Sequence, residues 1–172
     1  MPSRLKHALV LLVLLALVLG GAAWGWASLT KPFPPLTSPG PTNEPCLETA
    51  IPAGNPVRPG MVWVSVLNAS DRSGLAGVTL DQLVSEGFGE GATGNAPDGT
   101  DVTKAEIWTG DVASPAALLL KSYLGGKTEI VAHAELGPRV TVVVGQKFSE
   151  VKQGRKLVTA ENDAVICSPI TG

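Results

Sequence analysis

The sequence predicts an α/β (α+β two-layer) domain: a mixed sheet in the order β-α-β-β-α-β-β with helices packed on it, preceded by one transmembrane helix. Three observations carry that expectation. Residues 62–88 read as strand, loop and helix. Residues 102–145 read as strand, helix and two strands. A long uncharged apolar run lies near the N-terminus. A strand feeding a helix that returns over a sheet buries both apolar faces at once, so each such unit is a platform for the rest.

The N-terminal run comes first in the chain. No charged residue occurs between Lys6 and Lys31. Residues 8–29 supply 22 mostly apolar positions, enough for a helix to cross a hydrocarbon core of roughly 30 Å. Trp24 and Trp26 stand near its outer end, where indoles favour the interface. Arg4 and Lys6 precede the run and Lys31 alone follows closely, so residues 1–7 are expected inside and the bulk of the chain outside. The rival reading is a cleaved signal peptide, with Gly25-Trp26-Ala27 as the cut. The length of the run and the bulk of the tryptophans favour the anchor. Both readings export the domain.

Residues 30–60 read as a linker. Pro32, Pro34, Pro35, Pro39, Pro41 and Pro45 lie close together, and Pro52, Pro56 and Pro59 follow. Such a segment is expected to be extended, with polyproline character.

The domain is expected over residues 61–151. Val62, Val64 and Val66 alternate with Trp63, Ser65 and Leu67, the period of a strand. A polar loop, residues 68–74, leads to Leu75, Ala76, Leu80, Leu83 and Val84 on one helical face. Gly87 suits a left-handed C′ position, with Phe88 packing back. Residues 89–94 carry three glycines and predict a weak edge strand. Residues 102–109 predict the next strand, with Ala105, Ile107 and Thr109 on one face. Ser114-Pro115 is an N-cap and N1 pair, and Ala116, Leu119, Leu120, Tyr123 and Leu124 form the second helix face. Residues 128–136 alternate as a strand with one wet face, and residues 139–145, nearly continuous Val and Thr, predict the most buried strand. Residues 146–172 carry a local basic cluster of Lys147, Lys152, Arg155 and Lys156, and residues 152–172 read as a tail tied back by a disulfide.

Some of these residues resemble a known family. V-x-V-L-N-A-S at residues 64–70, G-L-A at residues 74–76, L-x-x-x-G-F at residues 83–88, Gly94-Asn95-Ala96 and residues 140–145 are similar to the LytR C-terminal domain family. The resemblance implies structural roles for Asn68, Gly74, Leu75, Ala76, Gly87, Phe88, Asn95 and Gly145. It also implies an actinobacterial envelope protein of the stand-alone, membrane-anchored kind. Its role would be non-enzymatic: support of envelope integrity, or of the machinery that attaches glycopolymers to the wall.

Cys46 and Cys167 bracket the domain, and an even count in an exported chain reads as a disulfide, with free thiols or an intermolecular bridge as the alternative.

Candidates for chemistry are few. His7 precedes the apolar run; His133 lies on a charged strand face between Glu129 and Glu135, readable as a pH sensor or lone ligand but more simply as a solvent-facing residue. Ser70 and Ser73 beside Asp71 read as loop residues rather than nucleophiles. The loop before the first helix could hold an anion, with Arg72 for and Asp71 against. No catalytic, cofactor or metal residue is assigned, and no cofactor is expected. Setting aside Arg4, Lys6 and Lys31 leaves 10 of 13 basic residues against 15 acids, near −5, which disfavours nucleic acid. The expected partners are the membrane and either cell-envelope proteins or cell-wall glycans. For glycans, Trp63, Trp108 and Tyr123 are the aromatic candidates.

Overall fold

The computed structural model describes residues 46–170. The expected cytoplasmic residues 1–7, the apolar run 8–29 and the linker up to residue 45 lie outside the described residues. Among the described residues no helix is long and apolar enough to cross a membrane.

The elements are β1 (Leu47–Ile51), β2 (Pro56–Val57), a 3₁₀ turn (Pro59–Met61), β3 (Trp63–Asn68), α1 (Leu75–Ser85), β4 (Gly89–Asn95), β5 (Ala105–Thr109), α2 (Pro115–Leu124), β6 (Glu129–Ala132), a 3₁₀ turn (Ala134–Leu136), β7 (Val140–Val144), β8 (Val158–Thr159) and β9 (Ala164–Ser168). From β3 to β7 this is the expected β-α-β-β-α-β-β order.

The main sheet runs β4-β3-β7-β5-β6. β3 is parallel to β4 and β7, β5 is parallel to β6, and β5 meets β7 antiparallel. Two β-α-β units therefore stand on either side of β7. A half-turn about the sheet normal relates their directions, so right-handed crossovers in both place both helices on one face. The core agrees: Leu75, Leu80 and Leu83 of α1 and Ala116, Leu119, Leu120 and Tyr123 of α2 share one cluster with Val64, Val66, Ile107, Val140, Val142 and Val144. A ferredoxin-like sheet would split each parallel pair with another strand. Here each pair is adjacent, and β7 takes the centre because all five of its residues, VTVVV, are buried.

α1 stops as the sequence predicts. Gly87 has φ +96°, Phe88 N–H donates to the Leu83 carbonyl at 3.1 Å, and Gly87 N–H donates to Val84 at 2.9 Å, the paired bonds of a Schellman end. Phe88 then packs edge-on against Tyr123, with centroids 5.0 Å apart, joining the two units.

Several expectations are corrected. Val84 is exposed; Thr79 takes the buried place instead, its hydroxyl bonded to the Leu75 carbonyl at 2.8 Å. Ser114 occupies the N-cap position without capping: its hydroxyl is buried without a partner, and Asp111 Oδ1 accepts the Ala113 amide instead. The strand expected over residues 102–109 is paired only from Ala105, since Val102 leaves the ladder for a small cluster with Leu67 and Val143. The strand expected over residues 128–136 ends at Ala132. The His133 amide bonds to the Thr109 carbonyl, the last residue of β5, so no neighbour remains beyond it and the chain turns as 3₁₀.

The largest difference concerns the flanks. Residues 47–57, expected within the linker, form β1 and β2. β1 pairs antiparallel with β9, and β2 with β8. Ile51, Val57, Val158, Ala160 and Ile166 enter the core that holds both helices. The core thus continues past residue 151. Backbone-directed bonds fix the crossing: Tyr123 Oη donates to the Arg155 carbonyl at 3.0 Å, and the Val151 amide donates to Gln82 Oε1 at 3.0 Å. Cys46 and Cys167 are joined by a disulfide, with Cα atoms 5.3 Å apart.

Candidate functional site

Helices and flanking strands cover one face of the sheet. The other face carries the candidate site. Ladder register sets Ser65, Thr141, Trp108 and Val131 in one row across β3, β7, β5 and β6. Leu67, Val143, Glu106 and Glu129 make the next row. Period-two alternation puts Trp63 on the same face.

The poor composition of β4, GEGATGN, has a local cause. A Cβ at Gly91 would lie 2.8 Å from Trp63 Nε1 and 2.5 Å from the Val64 carbonyl. Glycine leaves room for the indole against the edge strand. The Trp108 indole donates to Glu106 Oε2 at 3.0 Å and stacks on His133, with centroids 4.2 Å apart at 21°. His133 Nδ1 meets Glu135 Oε1 at 3.0 Å. A backbone hydrogen bond at Glu135, and then the His133 contact, hold that carboxyl below its usual range. His133 is therefore not a freely solvated strand residue: its side chain is 28% exposed, one ring face lying on Trp108. Spacing along the chain carries no sign of this stack, because the two residues meet only through the β5–β6 pairing.

Trp63 Nε1 and Thr141 Oγ1 are buried on this face without a hydrogen-bond partner. Each such group costs on the order of 1–3 kcal/mol. Tyr123, the third aromatic candidate, is excluded: it is buried at 4% exposure, and burial, then the Glu86 carboxylate, push its phenol up.

The motif residues shape loops and core. Asn68 Oδ1 accepts from the Ser70 amide and hydroxyl at 3.0 and 2.8 Å, and its Nδ2 donates to the Arg72 carbonyl at 2.8 Å. One side chain thus closes the turn into α1. Gly74 is the N-cap with φ +76°, and Leu75 and Ala76 are buried. Asn95 ends β4 opposite Asn68. Gly145 ends β7 against the Val102 carbonyl. Asn68→Ala is expected to cost about 1–2 kcal/mol by urea unfolding, since three bonds go and the Arg72 carbonyl loses its partner. Ser73→Ala, in the same loop, should stay within about 0.5 kcal/mol.

The loop does not become an anion site. Arg72 Nη1 is turned to the Phe148 carbonyl at 2.6 Å, while Asp71 and Asp98 line the polar cleft of about 640 Å³ beside Asn68 and Asn95. Ser70 is engaged by Asn68 and by the Arg72 amide, as a loop residue is. Among the described residues no group of three or more His, Cys, Asp or Glu side chains is placed to hold a metal.

The family whose pattern fits this fold is described as LytR cell envelope-related transcriptional attenuator, and its model matches residues 62–148. The chain belongs to this family. Its LytR C-terminal domain therefore spans β3 to β7, and β1, β2, β8, β9 and the disulfide are built around it. Among solved structures, the soluble domain of a conserved hypothetical secreted protein from Mycobacterium marinum is similar at 26% identity and a TM-score of 0.49, over 60% of this chain and 68% of that one. No curated protein matches the chain.

Proposed function

We propose that the protein is a non-enzymatic, single-pass membrane-anchored module, with its domain outside the cytoplasm, that supports cell-envelope integrity or the attachment of glycopolymers to the wall. The observation that carries this reading is its membership in the LytR C-terminal family. The Cys46–Cys167 disulfide supports an oxidising compartment, and residues 8–29, preceded by Arg4 and Lys6, support an anchor with its N-terminus inside. Residues 30–45 then serve as the spacer. Crosslinking in the native membrane tests the role: capture of wall-ligating enzymes or lipid-linked glycans is expected. A deletion strain with normal antibiotic and detergent tolerance would count against it.

A second reading has its own observation. Trp63 and Trp108 share one sheet face and are both half-buried, each leaving part of an indole in reach of an apolar sugar face. In this reading the module binds wall glycan directly. Trp108→Ala should weaken co-sedimentation with purified wall at least about tenfold, as loss of a central aromatic anchor does. Val112→Ala, at an exposed apolar residue, should leave it unchanged. Equal sedimentation of both variants with the parent would remove the reading.

A further inference from the structure

A cleft of about 730 Å³ lies where the β1–β9 ribbon passes the loops that follow β5 and precede β7. Apolar side chains line most of it, among them Ile51, Pro138 and Val165. Its charged residues are Glu48, Asp111 and Asp163, and no lysine, arginine, histidine or aromatic residue lines it. The walls are held by the backbone. Ala50 stands opposite Val165 in the ribbon, and Glu48 lies on the same face two residues earlier. On the far side Gly110 N–H donates to the Gly137 carbonyl at 3.0 Å. A Cβ at Gly110 would lie 2.5 Å from that oxygen, so the two loops close on each other with no space between.

Two of the carboxylates are held as well. Asp111 Oδ1 accepts the Ala113 amide at 2.9 Å, and Asp163 Oδ1 accepts the Ala53 amide at 2.8 Å. Each keeps its second oxygen for another donor. The three acids do not stand close enough together to share a metal ion. Three negative charges around an apolar cleft favour a cationic occupant and repel an anionic one. The ribbon itself says what form that occupant takes. β9 packs against α2 and the Pro59–Met61 turn, while β1 has β9 on one edge and, among the described residues, no strand on the other. Such an edge presents unpaired amides and carbonyls to a further strand, and β1, LETAI, holds no lysine or proline that would block one.

We infer that the cleft binds an extended basic peptide segment of a partner protein, paired as a strand with the free edge of β1. Alternate residues of that segment fall on the face of Glu48, Ala50 and Val165, where lysine or arginine heads meet the carboxylates and their aliphatic stems cover the apolar lining. The five residues of β1 match about 17 Å of extended chain. The inference gives the accessory reading above a partner class and rests on that reading only for the compartment. It is separate from the glycan reading, because Trp63, Trp108 and Thr141 do not line this cleft.

The test uses the full chain in neutral detergent micelles. The probe is a fluorescent peptide of alternating lysine and valine, about six residues long. Its comparators are the fully N-methylated peptide, which cannot pair as a strand, and the peptide with glutamate for lysine. The parent should bind the lysine peptide with a Kd of about 1 mM or tighter, more weakly as salt rises, and each comparator at least about tenfold more weakly. Glu48→Gln, Asp111→Asn and Asp163→Asn together keep acceptors for the Ala113 and Ala53 amides and should weaken binding at least about tenfold. Ala50→Lys, at an exposed position on the same face, should do likewise with melting within about 3 °C of the parent. Asp81→Asn, Glu86→Gln and Glu90→Gln together remove three exposed charges elsewhere, and this variant should bind as the parent does. Absence of binding by the parent, or equal binding by the cleft variants, overturns the site. Equal binding of the N-methylated peptide overturns the strand pairing. A parent dimer that Ala50→Lys dissociates, without peptide binding, makes the occupant a second copy and overturns the partner. If peptide binding holds while crosslinking in the membrane captures no envelope protein, the accessory reading falls and the cleft stands.

Discussion

Replacing both Cys46 and Cys167 with serine is expected to lower stability by about 4–5 kcal/mol. The bond closes a loop with a sequence separation of 121, so the unfolded chain regains much freedom when it is cut. The native state loses too. β1 is held by β9 and by the disulfide, and Ile51 and Ile166 of this ribbon are both in the core. With the covalent tie gone, β1 can open from the end at Leu47, which is exposed, inward to buried Ile51. Thermal unfolding of the oxidised protein, the reduced protein and the double variant measures the effect. A drop of roughly 10 °C or more is expected for a domain of this size. Melting temperatures within a few degrees of one another would show that the ribbon's hydrogen bonds and core contacts suffice, and that the disulfide serves only to orient the chain's entry.

The same ribbon marks where sequence reading stopped short. Within β3 to β7 the signals were local and consistent. Alternating Val62, Val64 and Val66, the Gly87-Phe88 helix stop, the Ser114-Pro115 helix start and the VTVVV run each fix an element from its own residues. The strand order was not legible, because it depends on which edges meet and not on any one segment. The flanks failed for a related reason. Pro52, Pro56 and Pro59 read as punctuation of a linker, yet Leu47–Ile51 and Pro56–Val57 are strands because β9 and β8, more than 100 residues later, supply their hydrogen-bond partners. The cysteine pair was the one sequence signal that joined those distant ends. Thr79 illustrates the limit at single-residue scale. Nothing in its type predicts burial, but its hydroxyl satisfies itself on the Leu75 carbonyl, so it behaves as a small apolar residue where Val84 was expected.

The candidate site was legible in parts and not as a site. Trp63 is legible as a strand residue opposite Val62, Val64 and Val66, Trp108 as one opposite Ala105, Ile107 and Thr109, and His133 as a residue between two acids. That Ser65, Thr141 and Trp108 form one row follows only from β7 standing between β3 and β5. A cleft of about 200 Å³ at the end of β7, lined by Lys104, Lys127, Lys147 and Lys152, is similar. Lys147 and Lys152 were seen as part of a basic tail, while Lys104 and Lys127 join them through the antiparallel meeting of β5 and β7 and the end of α2. Arg155 and Lys156, from the same apparent run, do not line the cleft. Chemistry that depends on convergence is invisible to spacing along the chain.

Gly145→Ala is expected to destabilise the domain by about 3 kcal/mol or more, although it adds one methyl group. A Cβ at this position would overlap the Val102 carbonyl and crowd Thr103. Those neighbours are backbone, not the free end of a side chain, so they cannot swing aside. They are also tied to β7: Gly145 N–H donates to the Lys104 carbonyl and Lys147 N–H to the Thr103 carbonyl, both at 2.8 Å. Making room means lifting residues 102–104 off the end of β7. Both hydrogen bonds are then lost, and Val102 leaves its buried contact with Leu67 and Val143 on the face away from the helices. The lysine cleft would open with them, because Lys104 and Lys147 are carried on the segments that separate. Gly126→Ala is the matched control, since a Cβ there meets nothing within 4 Å and its backbone needs no left-handed angle. Urea unfolding should place Gly126→Ala within about 0.5 kcal/mol of the parent and Gly145→Ala far below it. Equal midpoints for the two would mean that residues 102–104 are not held against β7.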